Sequence, residues 1–361
     1  MFGRTRQRGV SGLSKGLSAA AILVGLANLT AVFPATAQQQ QQQQQQPVQQ
    51  QPAPQRQQPP TVTAPQPAGT APQPATRPQQ QTVRKPIGPG LVDHRPIEPL
   101  RDVVYAAPDR LELRADLYRP LDGTGPFPAV LTVHGGSWAN GTKARMGAVS
   151  MRLARAGYLA VAIDYRLAPR YRFPAQLEDL KAAIRWMRGN AERLNIDPNR
   201  IGAWGYSAGG HLVELLALTD PSAGLEGYSD VPGAPSARLQ AAVAGAAPAD
   251  FQDLPLDAVG YEFWLGGTRR QAPRAYQMAS PVRYVSRDDP PMFLYHGSDD
   301  SLVPIGNSET MVGLLRRAGV HAELYAIPGS LHIDAGFNPD AARAGVVFLD
   351  KYLKAAAPPA R

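Results

Sequence analysis

The sequence predicts an α/β protein, with a mainly parallel central sheet and helices on both of its faces. Three observations carry that expectation. From residue 128 onward, strand-like apolar runs alternate with helix-like stretches, the pattern of repeated βα units. Some of these runs, above all Pro128-Ala129-Val130-Leu131-Thr132-Val133, are continuously apolar, as strands buried on both faces are. Finally, the run 200–204 passes through Gly205-Tyr206-Ser207-Ala208-Gly209-Gly210 into the apolar stretch 212–218, which reads as strand, tight turn and buried helix. In a G-x-S-x-G turn of this kind the serine takes strained backbone angles, and small neighbours let strand and helix approach while its Oγ stays exposed.

Everything before residue 96 is of a different character. Arg4, Arg6, Arg8 and Lys15 precede an apolar stretch, 17–33, and Ala35-Thr36-Ala37 has the small-x-small form of a cleavage site. That order predicts a secretory signal peptide over 1–37, cut before Gln38, and a periplasmic or secreted product. A retained anchor is disfavoured, since the stretch is short for a span and broken by Gly25, Asn28 and Thr30. Residues 38–95 are rich in Gln and Pro and nearly lack large apolar side chains, so they are expected to be a disordered linker. Residues 96–356 remain for one catalytic-sized domain. The formal charge of +8 belongs wholly to residues 1–95, where nine Lys and Arg face the single acid Asp93. The body is formally neutral, which argues against a nucleic-acid partner. The chain has no cysteine, excluding disulfides and thiolate chemistry.

Within the body, residues 101–107 and 111–119 read as an antiparallel hairpin around Pro108-Asp109. After strand 128–133 come a helix over 144–156, a strand over 159–165 and a helix over 174–194. Leu177, Leu180, Ile184 and Met187 share one face of that helix, and Pro174 suits its first turn. The Ser207 strand and helix follow, then a buried strand over 239–247. Residues 249–289 form a Pro- and Asp-rich insertion containing Tyr261-Glu262-Phe263-Trp264-Leu265. The alternation resumes with strand 292–295, helix 305–318, strand 323–327 and helix 340–354. Ligands of such sheets bind outside the carboxyl ends of the strands, where loops 134–138, 205–210, 297–304 and 329–333 fall.

A serine hydroxyl becomes nucleophilic when a base takes its proton, and the base needs a third group to fix its tautomer. Of the six histidines, His94 precedes the body, and His134, His211, His296 and His321 lie in or directly beside regular elements. Only His332 follows the final strand in a loop able to reach back over the sheet. The acid belongs in the loop after His296-Gly297, where Asp299 and Asp300 are both available. The chain order serine, acid, histidine differs from that of the two well-known protease triads. No His/Asp cluster has metal-ligand spacing and no phosphate-binding loop is present.

Several separate stretches carry a resemblance. They are His134-Gly135-Gly136-Ser137-Trp138, Asp164-Tyr165-Arg166-Leu167-Ala168-Pro169, Phe173-Pro174-Ala175-Gln176-Leu177-Glu178-Asp179, the Ser207 turn, and His296-Gly297-Ser298-Asp299-Asp300-Ser301-Leu302-Val303-Pro304. Together they make the body resemble the α/β-hydrolase superfamily, in its esterase/lipase branch with hormone-sensitive-lipase-like and feruloyl-esterase-like members. The resemblance implies the α/β-hydrolase fold and a triad of Ser207, Asp300 and His332, Asp300 being preferred to Asp299 by the family's H-G-x-x-D-x-x-V-P pattern. It also implies an oxyanion hole from the amides of Gly136, Ser137 and Ala208, and no cofactor. Trp138 either lines the substrate pocket or packs in the core. Residues 164–169 shape the loop beside the site, and Glu178 and Asp179 are expected on a solvated helix face. The family's helical cap would stand where the Gln/Pro tract lies, so the site is expected to be open, covered at most by residues 249–289. The resulting expectation is an exported serine carboxylesterase acting on small or short-acyl esters. An amide hydrolase of formamidase or peptidase type and an inert envelope-binding protein are the other readings.

Overall fold

Among the described residues, eight strands hydrogen-bond into one sheet in the order β1-β2-β4-β3-β5-β6-β7-β8. The computed structural model describes residues 97–354; the expected signal peptide and linker lie outside them. β1 (Leu100–Ala106) and β2 (Leu113–Tyr118) form the expected hairpin, with Val103 opposite Ala115, and β2 runs antiparallel to β4 (Leu159–Ile163). β3 (Phe127–Val133), β5 (Ile196–Tyr206), β6 (Ala241–Gly245), β7 (Met292–Gly297) and β8 (Ala322–Ile327) complete the sheet, and from β4 onward every pairing is parallel. The chain moves from β3 outward to β4, then crosses back to β5 and continues the other way. Strands β3 and β5 therefore flank the switch point, where a parallel sheet opens a crevice at its carboxyl end.

Alternation along the strands divides the core in two. On β3, Leu131 and Val133 join Leu177, Ile184, Leu212 and Leu315 in one cluster, whereas Val130 joins Leu153, Trp204, Phe293 and Leu349 in the other. The first face is covered by α2 (Ala175–Gly189), α3 (Ala208–Leu218) and α4 (Gly306–Arg317), and the second by α1 (Gly147–Arg155) and α5 (Pro339–Leu353). This is the expected architecture, a mainly parallel sheet with helices on both faces. None of the described helices is long and apolar enough to cross a membrane.

Two local expectations need correction. The helix expected over 174–194 breaks after Gly189, where a Cβ would come within 2.4 Å of Val231, and a single turn, Ala191–Leu194, follows before Asn195 turns left-handed at φ 55°. Nor does Asp179 lie on a solvated face. It is fully buried, accepts from the Arg166 backbone amide and Nε at 2.8 Å each, and accepts from the Tyr228 hydroxyl at 2.9 Å. Burial outweighs the Arg166 guanidinium and holds this carboxyl up at about 6. Glu178 is half-buried, 3.0 Å from Nη2 of the same arginine. The sequence shows two acids at the start of a helix; the arginine that draws one of them inward comes from the loop after β4.

Candidate active site

Ser207 stands between β5 and α3 with φ 56° and ψ −124°, a conformation that L residues rarely adopt. The turn closes because its neighbours are bare: a Cβ on Gly205 would lie 2.1 Å from the Gly209 carbonyl oxygen, and one on Gly209 would lie 2.3 Å from that of Val133. The Ser207 amide donates to the Gly245 carbonyl at 2.7 Å, tying the turn to β6.

The loops after β7 and β8 bring two distant residues to this serine. His332 Nε2 lies 2.9 Å from Ser207 Oγ, and His332 Nδ1 lies 2.6 Å from Asp300 Oδ2. The other carboxylate oxygen of Asp300 accepts the amides of Leu302 at 3.0 Å and Val303 at 2.8 Å, so the acid is oriented by its own loop. Asp299 is exposed, and its carboxylate takes the Ser298 hydroxyl at 2.7 Å instead. Of the two adjacent acids left open by spacing alone, Asp300 is therefore the one beside the imidazole. The Tyr206 hydroxyl donates to the His332 carbonyl, fixing the histidine loop to the end of β5. His296 braces the acid loop from below: Nε2 lies 2.7 Å from the Val303 carbonyl and Nδ1 lies 2.7 Å from Ser308 Oγ. Burial lowers the pKa of His296, which favours the neutral ring.

The loop after β3 completes the arrangement. A Cβ on Gly135 would fall 2.7 Å from the Tyr206 carbonyl oxygen and 3.2 Å from Ser207 Cβ, so bare backbone is what fits against the serine turn. Gly136, Ser137 and Trp138 then follow with φ of 127°, 51° and 57°. The amides of Gly136 and Ser137 donate to no acceptor among the described residues, and Ala208, the first residue of α3, has its amide at a helix N-terminus. His134 is buried and stacked on Tyr165 at 4.2 Å, and burial takes its pKa down to about 4. The Trp138 indole, left open between pocket and core, lies in the core, stacked on Trp264 at 3.8 Å and 2°.

Residues 249–289, expected at most to cover the site, include the one-turn helix Glu262–Leu265 and the helix Pro273–Met278, and their Phe251 and Trp264 pack against Trp138. A cavity of about 250 Å³ lined by Tyr105, Trp186, Asn190 and Asp230 contains none of the site residues. No group of three or more metal-ligating side chains occurs among the described residues. Two residues to which the sequence assigns no role, His211 and Trp264, pack against Trp138; His211 directly follows the glycines of the serine turn, and Trp264 stands in the aromatic run of the insertion.

Chemically, a hydroxyl, an imidazole and a carboxylate in this line can move a proton from oxygen to nitrogen. Esterase LipC of Mycobacterium tuberculosis is 34% identical over 268 residues, covering 71% of this chain and 64% of that protein. The chain spans between half and two thirds of the length of this and two further mycobacterial relatives. Among solved structures, a truncated form of a carbohydrate esterase from gut microbiota superposes with a TM-score of 0.66 at 25% identity, covering 71% of this chain and 96% of that one. The butyrate-bound esterase Est2 of the planctomycete Thermogutta terrifontis superposes with a TM-score of 0.61 at 25% identity, covering 72% and 96%. The BD-FAE family model matches residues 115–315, from β2 into α4, a span that includes the loop after β3, the serine turn and the acid loop. On that match the chain belongs to the BD-FAE family, and its sheet and helices are those of the α/β-hydrolase fold.

Proposed function

We propose that this protein is a serine carboxylesterase that hydrolyses small or short-acyl esters. The observation that carries the reading is the continuous line from Ser207 Oγ through His332 to Asp300, with contacts of 2.9 and 2.6 Å. In the neutral state Nδ1–H donates to Asp300 and Nε2 accepts the Ser207 hydroxyl, the tautomer a general base needs. Ser207 attacks the acyl carbon as its proton passes to Nε2, and the carbonyl oxygen becomes an anion. The amides of Gly136, Ser137 and Ala208 receive it, each lowering the barrier by about 3 kcal/mol. His332 returns the proton to the departing alcohol, leaving an acyl-enzyme on Ser207, and water then releases the acid by the same path. These steps use only side chains and backbone of this chain.

The butyrate-bound Est2 relative supports a short acyl group. The small-x-small site after the apolar stretch supports export to the periplasm or beyond. The deciding experiment is a panel of aryl esters of increasing acyl length, run beside N-formylkynurenine and a feruloyl ester, on the wild type and Ser207→Ala. Hydrolysis strongest on short acyl esters and absent from the variant is expected. Turnover of the formamide in preference to every ester would replace esterase by amidase. Undiminished activity or fluorophosphonate labelling of Ser207→Ala would remove Ser207 from the chemistry.

A further inference from the structure

The loop that presents the Gly136 and Ser137 amides holds a shape its own residues disfavour. Ser137 and Trp138 are consecutive non-glycine residues at positive φ, 51° and 57°. Such conformations persist only where the surroundings over-determine them.

The surroundings here are specific. The Trp138 carbonyl accepts the Ala168 amide at 2.9 Å, one face of its indole is stacked on Trp264, and its indole N–H donates to Nδ1 of His211 at 3.2 Å. His211 is fully buried, and its Nε2 lies 2.7 Å from the Ala279 carbonyl oxygen. Indole nitrogen can only donate and a carbonyl can only accept, so both contacts demand one tautomer, with the proton on Nε2 and the lone pair on Nδ1. Burial takes this histidine down to about 4, so the ring stays neutral and the acceptor stays available at neutral pH. His211 lies one turn into α3, and its amide donates to the Ser207 carbonyl at 2.9 Å. The helix that carries Ser207 and the Ala208 amide thus grips, through one imidazole, the loop that carries the other two amides.

We propose that His211 is a positioning residue: by accepting the Trp138 indole N–H it sets the aim of the Gly136 and Ser137 amides relative to Ser207 and Ala208. The proposal rests on the reading of those amides as oxyanion donors. Its effect belongs to the transition state, because the charge they meet develops only there, and a displacement near 1 Å can cost about a hundredfold.

The test uses the two amide side chains that each mimic half of the imidazole. His211→Asn places Oδ1 where Nδ1 stands and keeps the acceptor for Trp138. His211→Gln places its amide nitrogen where Nε2 stands and keeps only the bond to Ala279. Trp138→Phe keeps an aromatic face against Trp264 and removes the donor.

On a short-acyl aryl ester, His211→Gln and Trp138→Phe are expected to lower kcat by between about tenfold and a hundredfold with KM within about twofold. His211→Asn should recover most of the wild-type kcat, and the His211→Gln/Trp138→Phe double variant should be no slower than the slower single one. Wild-type kcat in His211→Gln, equal losses in Asn and Gln, or kcat losses that simply follow Tm would overturn the proposal. Should His211→Gln fail to fold, Trp138→Phe decides, and wild-type kcat there overturns it equally. The rate of Ser207 labelling by a fluorophosphonate, whose phosphoryl oxygen needs the same amides, gives a second readout. It should show the same ranking, and it remains measurable if no tested ester is turned over, so failure of the esterase reading is seen separately.

Discussion

Asp299 and Asp300 are neighbours in the chain, yet one carboxylate faces solvent and Ser298 while the other faces His332 and two amides of its own loop. Asp300→Asn should reduce kcat by roughly a thousandfold or more, because a carboxamide that presents N–H to Nδ1 stabilises the wrong tautomer. Asp299→Asn should change kcat by less than about twofold. Steady-state kinetics on one aryl ester checks both, and equal losses would mean that the acid is shared or misplaced. A second residue-scale prediction concerns Glu214, fully buried on α3 with neither carboxylate oxygen partnered among the described residues. Burial raises its pKa well above the ordinary carboxyl value. A raised folded pKa means that the folded state keeps a proton the unfolded chain loses, so this group favours folding most below about pH 4 and progressively less as pH rises. Glu214→Met, similar in volume and without the charge, should therefore raise Tm by about 3 °C or more at pH 8 and by less at pH 5. Thermal melts at the two pH values test it; an equal shift at both would show that ionisation is not what costs stability.

At the scale of elements, the loop after β4 is strapped to α2 by Arg166, which reaches Asp179, Glu178 and the Ala175 carbonyl together. The arginine side chain is 8% exposed and that of Asp179 is fully buried, so losing Asp179 leaves a nearly buried guanidinium with only the partly exposed Glu178 to balance it. Asp179→Ala should cost about 3–5 kcal/mol in urea unfolding, whereas the double exchange Arg166→Met/Asp179→Leu should recover much of it. A double variant as unstable as the single one would show that the strap contributes by packing and not by compensating charge. This is where sequence reading reached its limit. Strands, helices and the serine turn follow from periodicity, turn residues and apolar runs within about ten positions, and they lie close to where those signals put them. Asp179 reads as solvated because nothing within its own helix says otherwise. Its partners Arg166 and Tyr228 come from other segments, 13 and 49 positions away.

For the whole molecule, the strand order places β3 and β5 at the switch point, which is why the two short loops that follow them meet although 71 positions separate Gly136 from Ser207. The tract 38–95 carries excess charge but almost no large apolar residues, and its composition predicts that deleting it leaves kcat/KM on a small ester within about twofold and Tm nearly unchanged. The acyl-length panel run on full-length and truncated protein tests this; a shifted chain-length profile would make the tract part of substrate selection. The sequence by itself determined the fold class, the serine turn with its obligatory small residues, and the serine–acid–histidine order, since each is written in residues adjacent in the chain or in loops that the alternation of elements numbers. Spacing left Asp299 and Asp300 both open and the resemblance preferred Asp300; the tertiary structure sets Asp300 beside the imidazole, and it alone decided that Trp138 turns its ring into the core and that His211 must keep its Nδ1 lone pair. Those outcomes depend on desolvation and on donors and acceptors supplied by segments remote in sequence. Burial and pairing are properties of assembled elements, and no local pattern encodes which buried partner will be there.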